Sequence, residues 1–112
     1  MIQVEYKGII IASNVSLADN FWDRLAGYMF RRHPHTPGIL FSPAPSIHTY
    51  FMNFNLDVIF MDGDFTILKI YRDMKPWRHT RFIFNAKKTL ELPAGVLPPE
   101  IKEGDALEVR HV

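Results

Sequence analysis

A chain of 112 residues with 47% apolar and 13% aromatic side chains can close one hydrophobic core and is too apolar to be intrinsically disordered. Thirteen basic against twelve acidic residues leave a net charge of +1, so there is no overall field to draw in nucleic acid or an anionic membrane. Cysteine is absent, which removes disulfides and thiol nucleophiles and fits a reducing compartment. The start MIQVEYKG lacks the basic and apolar regions of a signal peptide, and no apolar run nears the ~20 residues of a membrane span. The expectation is a single cytoplasmic domain over residues 1–112, with neither membrane nor nucleic acid as partner.

In chain order, IQVEYKGIIIASN reads as two short strands around Gly8, with β-branched and aromatic residues spaced for a hairpin or bend. The period then changes. In SLADNFWDRLAGYMF, Leu17, Phe21, Leu25 and Met29 recur every four residues, supported by Ala18, Trp22 and Ala26, which predicts one amphipathic helix. Ser16 with Asp19 supplies the N-cap pattern, and Gly27 ends the helix. Pro34, Pro37, Pro43 and Pro45 mark loop around the short strand GILF, since proline cannot donate within a central ladder.

Strand-like runs follow: IHTYFM, LDVIFMD, FTILKIYR, RFIFNA, KTLELPAG and ALEVRHV. Asp62-Gly63 between two of them is a hairpin signal. LDVIF is apolar on both faces and is therefore expected in the middle of a sheet. Strands following strands argue for an α+β, mainly β fold. The predicted form is an antiparallel β-barrel or sandwich of seven to nine short strands, with the helix packed on it.

Candidate chemistry centres on SIHTYFMNFNLDVIFMD. An acid that orients an imidazole is half of many catalytic and metal arrangements, and His48 and Asp57 would supply that half if their strands paired. The other half is missing, because GxSxG, HExxH, CxxC and a calcium loop are all absent. No metal or other cofactor is therefore expected. The bland alternative is that both residues are satisfied core polar groups. KPWRHT places Trp77 and Arg78 on a loop where ring and guanidinium could meet a ligand or each other. Glu91 closes a strand in ELPAG and could project into a cleft. RRHPH, with Lys75, Arg78, His79 and Arg81, would form a modest basic patch if the loops converge, or else is scattered solvated charge.

The ordered set RLAGYM, SIHTYFMNFNLDVIFMD, KPWR, LELPAG and IKEGDALEV resembles the domain-of-unknown-function family DUF192, the UPF0127 type of uncharacterised prokaryotic protein, over Val15 to Val109. The resemblance implies a β-rich domain carrying a helix, without an established activity; a bacterial source is the expectation. The family's "HT" step corresponds to His48-Thr49 and its aromatic-Met step to Phe51-Met52. Asn55 stands where proline is common, and Gly27-Tyr28-Met29 where the family has GLM or GLL. Many relatives are exported, but a chain that starts at its first strand carries no such expectation.

Two readings of function follow. The first is a non-catalytic module that binds a small molecule or peptide through His48, Thr49, Tyr50, Met52, Asp57, Trp77, Arg78 and Glu91. The second is a small hydrolytic or metal-assisted enzyme with His48 and Asp57 as its acid–base pair. A surface for a protein partner, using exposed aromatics and RRHPH, is a third use of the same loops.

Overall fold

The structure, a computed structural model, describes residues 1–18 and 27–112. Seven strands run in chain order: β1 (Ile2–Tyr6), β2 (Ile9–Ala18), β3 (Ile39–Phe41), β4 (Leu56–Met61), β5 (Ile67–Met74), β6 (Lys88–Pro93) and β7 (Glu108–His111). They form one sheet in the order β5-β4-β6-β3-β2-β1-β7.

Local chemistry accounts for both hairpins. Lys7 and Gly8 both have positive φ, the twist that a two-residue hairpin turn needs, and they join β1 to β2 with Tyr6 opposite Ile9. At the other hairpin, Asp62 Oδ1 accepts the amides of Asp64 and Thr66, which turns β4 back into β5. β4 is paired on both edges and buried at every residue, as its continuous apolar run requires.

Alternation along the strands divides the core between the two sheet faces. One face carries Val4, Leu40, Ile59, Leu90 and Leu92; the other carries Ile39, Phe41, Leu56, Val58 and Phe60. Gly38 lies where these layers are tightest. A Cβ there would fall 2.8 Å from Leu92 Cδ2 and 3.3 Å from the Glu91 carbonyl oxygen. Gly38→Ala is therefore expected to cost about 1–3 kcal/mol, read as a lower urea midpoint with an unchanged slope.

The predicted barrel or sandwich with a packed helix is corrected on three counts. First, the sheet is mixed, because β2 runs parallel to β3 with Ser16 opposite Ile39 and Ala18 opposite Phe41. Second, it is not closed into a barrel. β5 and β7 remain the edges; the bridge between Thr66 and Ala106 and the bonds of Ile67 to Gly104 and Asp105 link the start of β5 to the segment before β7 without pairing the two strands.

Third, there is no helix among the described residues. Ser16 does not cap one: its amide donates to the Gly38 carbonyl and its hydroxyl to Thr36 Oγ1. Leu17, expected on the buried stripe, is exposed on a strand, and Gly27 to Phe30 form a turn. The centre of the predicted helix, residues 19–26, lies outside the described residues. Two further segments differ as well. IHTYFM and RFIFNA are turns and irregular chain; the bridge between His48 and His79 ties the first to the residues just before the second.

Candidate functional site

β6 is paired on both sides, with Glu91 opposite Ile39 of β3 and Val58 of β4. These partners put the Glu91 side chain on the face of Ile39, Phe41 and Val58, among apolar groups, and it is only 2% exposed. Burial pushes its carboxyl up to about 8, because an ion there would lose its hydration. Among the described residues, Oε1 has no hydrogen-bond partner. The same burial, followed by the charge of Glu91, raises the Tyr28 hydroxyl, which donates to the Thr36 carbonyl.

Glu91 lies in the wall of a cavity of about 370 Å³. Phe41 at the end of β3 forms part of the lining, and the proline-bearing loop that follows contributes Pro43 and Pro45. His48 and Met52 line it further along the chain. Gly27 also borders the cavity, and a Cβ there would sit 3.4 Å from Phe41 Cζ and 3.7 Å from Glu91 Oε1. The prolines keep this loop out of the ladder, while Thr89 of β6 anchors it by donating its hydroxyl to the Ala44 carbonyl.

The cavity brings together His48, Met52 and Glu91 of the eight residues singled out from the sequence. His48 is half-buried, and its Nδ1 accepts the Tyr50 amide. Tyr50 stacks on the His48 ring, and its hydroxyl lies 2.9 Å from His79 Nδ1. Trp77 and Arg78 occupy an exposed turn beside them. Thr49 is fully buried, and its role is architectural. Its hydroxyl donates to the Lys75 carbonyl and accepts the Arg78 amide, while its carbonyl accepts the Trp77 amide.

Asp57 is elsewhere. It alternates with Leu56 and Val58, so it points to the opposite face of the sheet, opposite Leu92 in register. Its carboxylate accepts the amides of Asp73, Gly95 and Leu97. His48 and Asp57 are thus separated by the sheet and share no hydrogen bond. Among the described residues, no group of three or more His, Asp or Glu is placed to hold a metal ion. Also among them, no helix is long and apolar enough to cross a membrane.

The cavity walls from Phe41, Pro43, Pro45 and Gly27 were not legible as a site. The available signal was the clustering of prolines after a short apolar strand, which marks a loop but not what it covers.

The family model for DUF192, described as "Uncharacterized ACR", matches residues 2–109. A UPF0127 protein of Pyrococcus furiosus is 34% identical over 113 residues, covering 91% of each chain. One of Pyrococcus horikoshii is 33% identical over 101 residues, covering 86% of each. A UPF0127 protein of Thermococcus sibiricus is 31% identical, and this chain spans 62% of its length.

Among solved structures, a protein of unknown function from Novosphingobium aromaticivorans superposes with a TM-score of 0.77 at 21% identity, over 96% of this chain and 82% of that one. A Sinorhizobium meliloti protein, described as a candidate transcription regulator, gives 0.74 at 25% identity, over 96% and 91%. Archaea and bacteria are both represented, so relationship does not assign the expected bacterial source. The chain belongs to the uncharacterised DUF192 family of UPF0127 proteins.

Proposed function

We propose that this protein is a non-catalytic module that binds a small, mostly apolar molecule in the cavity beside Glu91. One observation carries the reading: a carboxyl 2% exposed, without a hydrogen-bond partner among the described residues, borders a cavity of about 370 Å³. Apolar walls with one or two convergent polar groups are the usual form of a small-molecule site. Neutral Glu91 has a proton to donate to a carbonyl or ether oxygen, and an amine could take that proton instead. His48 at the border offers a second polar contact.

Catalysis by His48 and Asp57 acting as a pair draws no comparable support. They face opposite sides of the sheet, and Asp57 already accepts three backbone amides.

The test is a fragment screen with short-chain amides, ketones and primary amines, followed by the methyl resonance of Met52. Binders should shift that resonance and raise the melting temperature, and Glu91→Gln should weaken amine binders at least tenfold. A screen in which the Met52 methyl never moves would sink the reading.

A further inference from the structure

Three turns meet beside the cavity. The Phe30 amide donates to the Phe51 carbonyl, the Trp77 amide to the Thr49 carbonyl, and Asn53 Nδ2 to the Arg31 carbonyl. On these turns the rings of Phe30 and Phe51 lie 5.0 Å apart, those of Phe51 and Trp77 4.8 Å apart, and those of Trp77 and Tyr50 5.9 Å apart. The result is a continuous aromatic ridge. Phe30, Phe51 and Trp77 are nevertheless 71%, 46% and 56% exposed.

All three have left-handed backbones, with φ of 62°, 63° and 64°. A bulky residue pays for that conformation, and the fold holds three of them in mutual contact at its surface.

Among the described residues, the exposed charge on the segments that carry the ridge has one sign. Residues 27–56 contain no acid, and neither do residues 74–90. Arg31, Arg32, Lys75, Arg78 and Arg81 are exposed on these segments, and none forms an ion pair among the described residues. The acids that bound these segments are Asp57 and Glu91, both buried, and Asp73, which accepts a hydrogen bond from Asn55; Asp19 and Asp23 lie outside the described residues. Asp62 and Asp64 lie in the turn at the far end of the β4–β5 hairpin, and Asp105 bonds to Ile67 at that same end. That is about 20 Å away along six strand residues. The net charge of +1 therefore does not show this local concentration of basic residues.

We propose that the Phe30–Phe51–Trp77 ridge, with its flanking arginines and lysine, docks this protein onto an anionic lipid surface. The proposal goes beyond the cavity reading and does not depend on it. A second copy of the same face would meet like charge, which disfavours self-association. Rings in contact with one another leave no room for a nucleobase to insert between them, so only their outer faces are open to stacking. An apolar phase accepts the whole ridge at once, with the Phe rings buried, Trp and Tyr at the polar boundary and the cations among the headgroups.

The experiment is co-sedimentation with phosphatidylcholine vesicles, with and without phosphatidylglycerol, alongside tryptophan emission. The wild type should sediment with the phosphatidylglycerol vesicles, stay in solution with phosphatidylcholine alone, and move its emission to the blue. Asparagine tolerates left-handed backbone, so Phe51→Asn with Trp77→Asn should melt no lower than wild type. That variant should lose at least tenfold in vesicle affinity, and Arg31→Ala with Arg78→Ala should lose about tenfold or more. The proposal fails if the wild type ignores phosphatidylglycerol vesicles, including the case where it captures a labelled single-stranded oligonucleotide instead. It fails equally if the asparagine variant sediments as well as wild type.

Discussion

Asp57→Ala is expected to lower the unfolding free energy by about 3 kcal/mol or more, which is a large part of the 5–15 kcal/mol that a domain normally holds. The carboxylate is 3% exposed and accepts amides at 2.9 Å from Asp73, 3.0 Å from Gly95 and 3.3 Å from Leu97. Alanine would leave three donors without their acceptor, the Leu97 amide in a buried position and those of Asp73 and Gly95 in part-buried ones. Hydrogen bonds to a charged acceptor are the stronger kind, and orphaned buried donors forfeit their hydration as well. The three donors belong to the end of β5 and to the turn after β6, so Asp57 ties β4 to both neighbours through its side chain as well as its ladder. Asp57→Asn should fall between, because one amide oxygen can replace only part of the set. Chemical denaturation with circular dichroism measures both. A loss within about 0.5 kcal/mol for the alanine variant would mean that these amides find water instead.

The second large effect concerns Glu91 and pH. Its carboxyl is held at about 8 in the fold, against an ordinary value of 4.5, by burial. Between those values the unfolded chain has released the proton and the folded chain has kept it. The folded state therefore binds more protons there, and stability must fall as pH rises. The loss begins above about pH 4.5, accumulates to about pH 8, and is then constant. The span of the shift corresponds to roughly 3–5 kcal/mol. Glu91→Gln has no proton to lose, so its stability should be flatter across that window, and its advantage over wild type should grow towards pH 8. Unfolding midpoints from pH 5 to about 8 test the slope. Equal slopes in the two proteins would place a countercharge at Glu91.

Much of the framework could be read from the residues. Gly8 and Asp62-Gly63 marked the two hairpins, and the apolar run of LDVIF marked a strand buried on both faces. The errors have identifiable physical origins. Ser16, Leu17 and Ala18 fit a helix start by local pattern, but the edge offered by Ile39 to Phe41 takes them into a parallel ladder, a long-range event with no local signature. IHTYFM and RFIFNA have the side chains of strands, yet prolines before them and left-handed Phe51 and Trp77 within and between them break the ladder.

The site was legible only in part. Glu91 was expected to close a strand and project into a cleft; it lines the cavity, but from within β6, paired on both sides. The pairing of His48 with Asp57 required both to be on strands of known register, and residue 48 is not on one. Net charge, being a sum over the chain, carries no information on where the exposed arginines and lysines gather.

The arrangement of β3 has a consequence for how the fold opens. The sheet comprises two antiparallel blocks, β7-β1-β2 and β6-β4-β5; among the described residues Ile39 to Phe41 join them within the ladder, and Phe65 to Ile67 bond to Gly104 to Leu107 at the other end. Each block contains its own tight hairpin and can begin to form from contacts close in sequence. Within the ladder, the seam between them is only three residues long, while one apolar cluster packs Val4 of the first block with Ile59 and Leu90 of the second. Amide exchange at Leu40 should reveal it: the slowest-exchanging protons will be those of this seam if the blocks unfold as one unit, and those of β4 alone if they part company first.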